Sequence, residues 1–182
     1  MPLKIVLGPM KSGKSFEMIS HFAPLKYTKI PYALYQSSRN VRDENVWSRN
    51  GIELVAKKVE SLREAVEGDF RVVGIDEIHM FGEHIVGEIE ALLGRGTQVV
   101  ATGLDTEYRG RMFPVIKRLL ELGPETVVYK RAVCEKCKNP NAVYTQVLRE
   151  GVPVTGGLPS VLPEDGTYEY KAVCRKCFVR AL

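Results

Sequence analysis

The chain has 182 residues, a size suited to one compact domain with room for a small second unit. Hydrophobic residues make up 45% and charged residues 26%, which excludes disordered, collagen-like and low-complexity proteins. The net charge of +4 is too small to indicate a nucleic-acid groove, and no apolar run is long enough to predict a membrane helix. The N-terminus lacks the long apolar core of a signal peptide, so we expect a cytoplasmic protein.

Strands and helices alternate in the prediction for the first 130 residues. Short apolar runs indicate strands at residues 4–7, 32–35, 52–55, 70–75, 98–103 and 127–129. Apolar spacing and end signals indicate helices at residues 13–23, 61–68, 85–94 and 114–122. Ser61 and Glu64 form a capping-box pattern at the start of the second helix. The polar stretch 39–51 is predicted as a loop. This alternation predicts an α/β fold with a parallel sheet and helices on both faces.

Helical periodicity stops after residue 130, so we divide the chain into a first domain at 1–130 and a second at 131–182. Residues 151–166 contain three prolines and four glycines. A unit of about 50 residues is too small to bury a stable core unaided. We therefore expect an additional stabilising element in the second domain.

A phosphate-binding loop is predicted at residues 8–15, whose sequence GPMKSGKS matches G-x-x-x-x-G-K-[ST] at every fixed position. Such a loop points backbone N–H groups at phosphates, its lysine reaches the β- and γ-phosphates, and its final hydroxyl binds Mg²⁺. A chance glycine turn is the alternative, but a strand before the loop and a helix after it favour an ATP site. The predicted ATP-binding residues of the loop are Gly8, Pro9, Met10, Lys11, Ser12, Gly13, Lys14 and Ser15. The fold class is then P-loop NTPase-like.

Two adjacent carboxylates, Asp76 and Glu77, follow the buried strand predicted at 70–75. We assign Asp76 to Mg²⁺ together with Ser15, with a helix cap as the alternative role. Glu77 is the candidate base that takes a proton from an acceptor hydroxyl or from water, with a solvated glutamate as the alternative. Ile78 and His79 complete the predicted nucleotide site, and His79 is expected to be a partly exposed turn residue.

The string Asp76-Glu77-Ile78-His79 also matches the D-E-x-H motif of certain helicases. An ATP-driven nucleic-acid binding protein is therefore the second hypothesis. The single α/β unit and the modest net charge argue against it, because those motors need two such domains.

Two C-x-x-C pairs indicate a metal site in the second domain: Cys134 with Cys137, and Cys174 with Cys177. Four thiolates suit tetrahedral Zn²⁺, and with all four positions filled by sulfur the metal would be structural. A redox dithiol and a chance occurrence of the pairs are the alternatives. The loop between the pairs, residues 138–173, is called the lasso here. We weigh a flap that covers a small substrate against an ordinary surface loop.

Together these motifs resemble the cellular type II thymidine kinases over nearly the whole chain. The similarity lies in residues 8–15, in IDE at 75–77, in GLDTEYRGRMF at 103–113, in the cysteine pairs, in YT at 144–145, in VPVTGG at 152–157 and in YKAVC at 170–174. It implies transfer of the ATP γ-phosphate to the 5′-hydroxyl of thymidine with Mg²⁺. It also implies a homotetramer that is inhibited by thymidine triphosphate.

The resemblance also assigns site residues. It implies that Glu77 is the proton acceptor, that Asp76 is metal-associated, and that Tyr170 closes the lasso. The thymine pocket would be lined by Met10, Leu104, Tyr108, Phe113 and Thr145. Backbone groups would bind the base along Val152, Pro153, Val154, Thr155 and Gly156.

This sequence departs from the family pattern at three places. Ile78, His79 and Met80 stand where glutamine and aromatic residues are common, and Tyr108 stands where phenylalanine is common. A D-x-R motif is not clean near residues 37–43. The arginines that could assist phosphoryl transfer are Arg39, Arg42, Arg109 and Arg111.

Overall fold

The structure, a computed structural model, describes residues 2–40, 46–47, 53–162 and 165–180. The strands are β1 (Leu3–Leu7), β2 (Tyr32–Ser37), β3 (Val46–Trp47), β4 (Glu53–Leu54), β5 (Lys57–Val59), β6 (Val72–Asp76), β7 (Gln98–Gly103), β8 (Thr126–Tyr129), β9 (Tyr144–Arg149), β10 (Val152–Pro153) and β11 (Glu169–Val173). The helices are α1 (Lys14–Phe22), α2 (Arg63–Glu67), α3 (Ile85–Gly94) and α4 (Pro114–Glu121), with 3₁₀ turns at Ala23–Tyr27 and Ile78–Met80.

The main sheet has six parallel strands in the order β5-β2-β6-β7-β1-β8. Its central strands are buried along their length, as in β6, where all five residues are buried. Parallel sheets are covered on both faces, which is why these strands are nearly continuous apolar runs. The carboxyl ends of the strands meet at one edge, where open α/β sheets bind their ligands.

Helices cover both faces of the main sheet, which confirms the predicted architecture. On one face, Met18 and Phe22 of α1 pack with Leu34 and Val100. On the other face, α2, α3 and α4 pack against residues of the opposite strand parity, such as Val99. The period of two along each strand separates the two apolar layers. Among the described residues, no helix is both long and apolar enough to cross a membrane.

A second, smaller sheet is antiparallel, with the order β10-β9-β11. Its core contains Tyr144 stacked on Phe178, with ring centroids 4.4 Å apart, and the buried thiols of Cys134 and Cys174. No helix occurs in the described part of the chain beyond residue 130, as the loss of helical periodicity predicts. The domain boundary at residue 130 stays a prediction.

The capping box predicted at Ser61 and Glu64 is wrong. Helix α2 begins at Arg63 after Leu62 and has no side-chain cap. The Leu62 N–H instead donates to Glu88 of α3 at 2.6 Å, while the Glu64 carboxylate pairs with Lys57. A partner from another element therefore takes the place of the local cap.

The polar stretch predicted as a loop at 39–51 falls largely outside the described residues, which omit 41–45 and 48–52. Within it, β3 pairs with β4 in a two-stranded antiparallel ladder, so the prediction of a loop is wrong for residues 46–47. Arg42 lies outside the described residues.

Candidate functional site

The phosphate-binding loop joins the end of β1 to the start of α1. Gly8 has φ 149°, and a Cβ there would lie 2.5 Å from the carbonyl oxygen of Lys130. Gly13 adopts φ 83° directly before the first helical residue. These two positions require glycine, one for close backbone approach and one for a left-handed conformation. Lys14 is buried, and its Nζ donates to the Pro9 carbonyl at 2.8 Å across the loop.

Polar side chains stand at the carboxyl ends of three neighbouring strands: Gln36 on β2, Asp76 on β6 and Thr102 on β7. The Thr102 hydroxyl donates to Asp76 Oδ1, which also accepts the Glu77 N–H at 3.0 Å. Burial raises the pKa of Asp76, while the Thr102 hydroxyl, the Glu77 amide and the nearby Lys14 charge oppose that rise. A cation at this carboxylate would favour its ionised form further.

Sequence reasoning identified Asp76 but missed Gln36 and Thr102. The signal was present, because a polar residue that closes an otherwise apolar strand marks the binding edge of a parallel sheet.

Glu77 adopts a left-handed backbone, with φ 50° and ψ 43°, which is unusual for a residue with a side chain. Such conformations concentrate at functional sites, because the surrounding fold must impose them. Oε2 of Glu77 lies 3.3 Å from Nδ1 of His79. The left-handed backbone at Glu77 therefore brings the candidate base beside His79, the next polar residue of the string Asp76-Glu77-Ile78-His79.

His79 lies in the 3₁₀ turn Ile78–Met80, as predicted for a turn residue, but it is 4% exposed, so the prediction of partial exposure is wrong. Its ring packs against Phe113 with centroids 4.9 Å apart, and its Nδ1 accepts the Leu104 N–H at 3.2 Å. Burial, with the Lys14 charge, lowers the pKa of His79 to about 3. The imidazole is therefore neutral at physiological pH, and its contact with Glu77 is not an ion pair.

A narrow cavity of about 30 Å³ lies next to His79. It brings together four residues of the predicted thymine pocket, Leu104, Tyr108, Phe113 and Thr145, with Tyr170, which was predicted to close the lasso. The space holds one or two water molecules and is far too small for a pyrimidine base. Ser160, Val161 and Leu162 of the lasso line the same cavity and were not found from the sequence. Their signal was an apolar pair flanked by prolines inside the lasso.

The remaining residues of the predicted pocket do not line this cavity. Met10 is joined to the pocket through its N–H, which donates to Thr145 Oγ1 at 3.0 Å. Val152 and Pro153 form β10, and Pro153 lines a separate groove on the small sheet. Val154 packs near Tyr108 and Val147. Thr155 and Gly156 are exposed.

The candidate arginines occupy different surroundings. Arg39 is exposed and lines a groove with Ser37 and Phe81 near the carboxyl end of β2. Arg109 binds the buried carboxylate of Glu107 at 2.8 Å and reaches the hydroxyl of Ser160 at 3.4 Å. Its guanidinium therefore contacts Glu107 and the lasso residue Ser160. Arg111 is exposed.

The four cysteines converge, with all their Sγ atoms within 4.8 Å of one another. Cys137 Sγ and Cys174 Sγ are 3.7 Å apart, close to the roughly 3.8 Å edge of a tetrahedron with Zn–S bonds of about 2.3 Å. Burial raises the pKa of Cys134, but the backbone amides of Cys137 and Cys174 and other hydrogen bonds outweigh it and lower the value to about 6. The Cys177 thiol donates to the neighbouring sulfur of Cys174, which stabilises its protonated form, and together with burial this raises the pKa of Cys177 to about 12. A divalent cation would let all four thiols ionise together, so the donor set fits zinc.

Comparison with known proteins gives a consistent family. A family model described as thymidine kinase matches residues 1–178. A thymidine kinase of Mycoplasma mobile is 31% identical over 180 residues, covering 96% of this chain and 86% of the relative. One from Thermococcus kodakarensis is 32% identical over 184 residues, covering 96% and 92% respectively. One from Mycoplasma capricolum subsp. capricolum is 33% identical over 187 residues, covering 97% and 88%.

A crystal structure of S. aureus homoserine dehydrogenase matches with a TM-score of 0.29 and 16% identity, over 80% of this chain and 36% of that one, a likeness that carries no argument. The sequence comparisons are of a different order, because each spans nearly the whole chain at about one third identity. The chain therefore belongs to the thymidine kinase family and is a kinase.

Proposed function

We propose that this chain transfers the γ-phosphoryl group of ATP to the 5′-hydroxyl of thymidine, giving thymidine monophosphate and ADP. The observation that carries the proposal is the position of Glu77 between two sites. Asp76, on one side, is within electrostatic reach of Lys14 in the phosphate-binding loop. His79, on the other side, contacts Glu77 and lines the cavity. A base between the phosphate-binding loop and the cavity can accept the proton of a hydroxyl that faces the terminal phosphate.

In the reaction, the 5′-oxygen of thymidine forms a bond to the γ-phosphorus while the bond from that phosphorus to the β,γ-bridging oxygen breaks. The hydroxyl proton passes to the carboxylate of Glu77, and ADP leaves with the bridging oxygen. Phosphoryl transfer depends mainly on positioning and electrostatic stabilisation. The loop amides and Lys14 would supply much of the positioning and of the electrostatic stabilisation. The Lys14 ammonium would then donate to phosphate oxygens in place of the Pro9 carbonyl.

We assign Mg²⁺ binding to Ser15 and Asp76. Ser15 lies in the first turn of α1, which follows β1, and Asp76 ends β6, which β7 separates from β1 in the sheet. When bound, Mg²⁺ would neutralise charge on the β- and γ-phosphates. Thr102 and the Glu77 amide both hold Asp76 Oδ1, so they would fix the carboxylate while its second oxygen serves the metal or a water on it.

We place thymine against Leu104, Tyr108, Phe113, Thr145 and Tyr170. Support comes from their shared position around the cavity beside His79. Because that cavity is too small for the base, we propose that lasso residues 158–162, of which 160–162 line it, move outward when thymidine enters. The assignment of residues 152–156 to the base stays a prediction.

We further propose that zinc in the four-cysteine cluster is structural and that it stabilises a domain spanning residues 131–182. Four sulfur ligands leave no open position for substrate. The homotetramer, inhibition by thymidine triphosphate and cytoplasmic location are implied by the resemblance or the composition, and they stay predictions here.

The experiment combines the protein with Mg²⁺, thymidine and ATP labelled at its γ-phosphate. We expect the label in thymidine monophosphate, and we expect Lys14→Ala to abolish its appearance, which excludes a contaminating kinase. Release of free phosphate at the same rate with and without thymidine would overturn the proposal.

A further inference from the structure

The phosphate-binding loop is fastened to the small sheet by two side-chain contacts. The Met10 N–H donates to Thr145 Oγ1 at 3.0 Å, and Lys11 Nζ donates to Glu135 Oε2 at 2.7 Å. Both contacts involve one cross-strand pair of the small sheet, Thr145 with Ala172. Thr145 pairs directly with Ala172, whose N–H donates to Glu135 Oε1 at 2.8 Å and whose carbonyl accepts the Glu135 N–H at 2.9 Å. Two successive loop residues thus depend on the placement of a single cross-strand pair.

The Thr145–Ala172 pair adjoins the cysteine cluster. Glu135 follows Cys134 directly, and Ala172 precedes Cys174 by two residues. A metal ion held by those cysteines would fix the first pair against the end of β11. The same geometry would fix the carboxylate of Glu135 and the hydroxyl of Thr145, which hold the loop.

The charges and backbone support a defined role for this contact. Lys11 Nζ and Glu135 Oε2 form a partly exposed salt bridge, with the two side chains 46% and 29% exposed respectively. Lys11 adopts φ 62°, a left-handed conformation that costs energy in any residue with a Cβ. Contacts to its surroundings must offset that cost, and the ion pair is one of them.

We propose that Glu135 is a positioning residue for the phosphate-binding loop, so that metal in the four-cysteine cluster and nucleotide in the loop bind with positive coupling. The inference rests on the proposed function only in taking the loop as the nucleotide site. Glu135 acts through Lys11 and keeps the loop curled for phosphate. Because binding couplings are reciprocal, bound nucleotide also retains the metal.

The first test is a double-mutant cycle on the metal-loaded full chain, with N-methylanthraniloyl-ADP as the probe. Lys11→Met and Glu135→Gln should each weaken probe binding about two- to fivefold, as expected for a partly exposed pair. The double variant should be no weaker than the weaker single variant, because both changes break one contact. Lys29→Met and Glu67→Gln remove the same charges at exposed positions and should leave affinity unchanged.

A direct contact between Lys11 and phosphate predicts a different pattern. Glu135→Gln would then release Lys11 toward the nucleotide, so probe affinity would stay constant or rise while Lys11→Met alone lowered it. That pattern would overturn the assignment of Glu135 as a positioning residue.

The second test follows metal release from loaded, folded protein into a colorimetric chelator. Saturating ADP should slow release in the wild type and in Glu67→Gln, and should have little effect in Lys11→Met/Glu135→Gln. Release that is independent of ADP in the wild type would overturn the coupling. If the wild type phosphorylates thymidine while Glu135→Gln behaves like Glu67→Gln in both tests, only this inference fails. If the wild type binds no nucleotide, the proposed function fails as well.

Discussion

The Tyr108 hydroxyl donates a hydrogen bond to the Leu158 carbonyl at 2.8 Å, and the Leu158 N–H donates back to the same hydroxyl at 3.2 Å. Tyr108 is 3% exposed, so both bonds are shielded from water. A phenylalanine at this position would have no hydroxyl to make them. The link holds residues 158–162 against the cavity, and it must loosen when that segment moves to admit a base.

Tyr108→Phe should therefore speed opening of the lasso at Leu158. Loss of the hydroxyl removes the hydrogen-bond acceptor of the Leu158 amide. One hydrogen bond contributes about 0.5–1.5 kcal/mol to stability. Hydrogen exchange at this amide should rise about two- to tenfold, with faster association of thymidine. Tyr27→Phe is the matched control, because Tyr27 is 91% exposed. Equal exchange at Leu158 in wild type and Tyr108→Phe would contradict this link.

Glu77→Gln tests the base directly. The amide keeps the shape of the side chain but cannot take the hydroxyl proton, so turnover should fall by about 10²–10⁴-fold. Affinity for ADP should stay within about twofold, because the loop amides and Lys14 are themselves unchanged. Steady-state kinetics and probe binding measure the two effects separately, with Glu67→Gln as the control. Unchanged turnover would remove Glu77 from the proton transfer.

Local patterns predicted most of the fold. The strand at 98–103 and the end of the helix at Gly94 match the structure, because each is specified by adjacent residues: an apolar run and a glycine at a helix end. The capping box at Ser61 failed because Glu88, from another helix, binds the Leu62 amide. No local signal carries that competition between a nearby and a distant partner.

In the candidate site, too, residues specified by their sequence neighbours were identified, and contacts between distant residues were not. Lys14 and Asp76 were identified because a motif and a strand end specify them within a few residues. The burial of His79 depends on Phe113, thirty-odd positions later in the chain, so its exposure could not be read from its neighbours. The contacts of Lys11 with Glu135 and of Tyr108 with Leu158 are also long-range, and they required the folded chain.

His79 should make stability depend on pH in a specific window. Its folded pKa of about 3 lies below the ordinary histidine pKa of 6.5, so the unfolded chain takes up a proton first as pH falls. The free energy of unfolding should drop from pH 6.5 toward pH 3 by up to about 1.4 kcal/mol per pH unit. In His79→Gln this contribution is absent. Urea unfolding should give curves that converge toward low pH, with exposed His84→Gln as the control. Parallel curves for wild type and His79→Gln would refute the buried neutral imidazole.

Glu17 should act in a lower window. Hydrogen bonds from Lys130 at 2.7 Å and Lys4 at 2.8 Å lower its pKa from 4.5 to about 2. The folded state therefore holds the ionised form, and this stabilisation is present above about pH 4.5 and lost as pH falls toward 2. Glu17→Gln should lower the unfolding free energy by about 1 kcal/mol at neutral pH. The difference should vanish in thermal unfolding near pH 2. A difference that persists there would show that packing, rather than charge, is responsible.

The last prediction concerns zinc itself. Elemental analysis of protein purified without chelators should find about one zinc per chain, since the four thiols form a single tetrahedral set. Cys174→Ser should lower zinc content and abolish thymidine binding, because Cys174 directly follows the strand that carries Tyr170 into the cavity. ADP binding should fall only several-fold, because the loop keeps its glycines, Lys14 and the start of α1. Lys176→Ser, in the same turn but without a thiol, should retain both metal and thymidine. Protein without zinc that still binds thymidine would show that the small sheet holds its position without a metal.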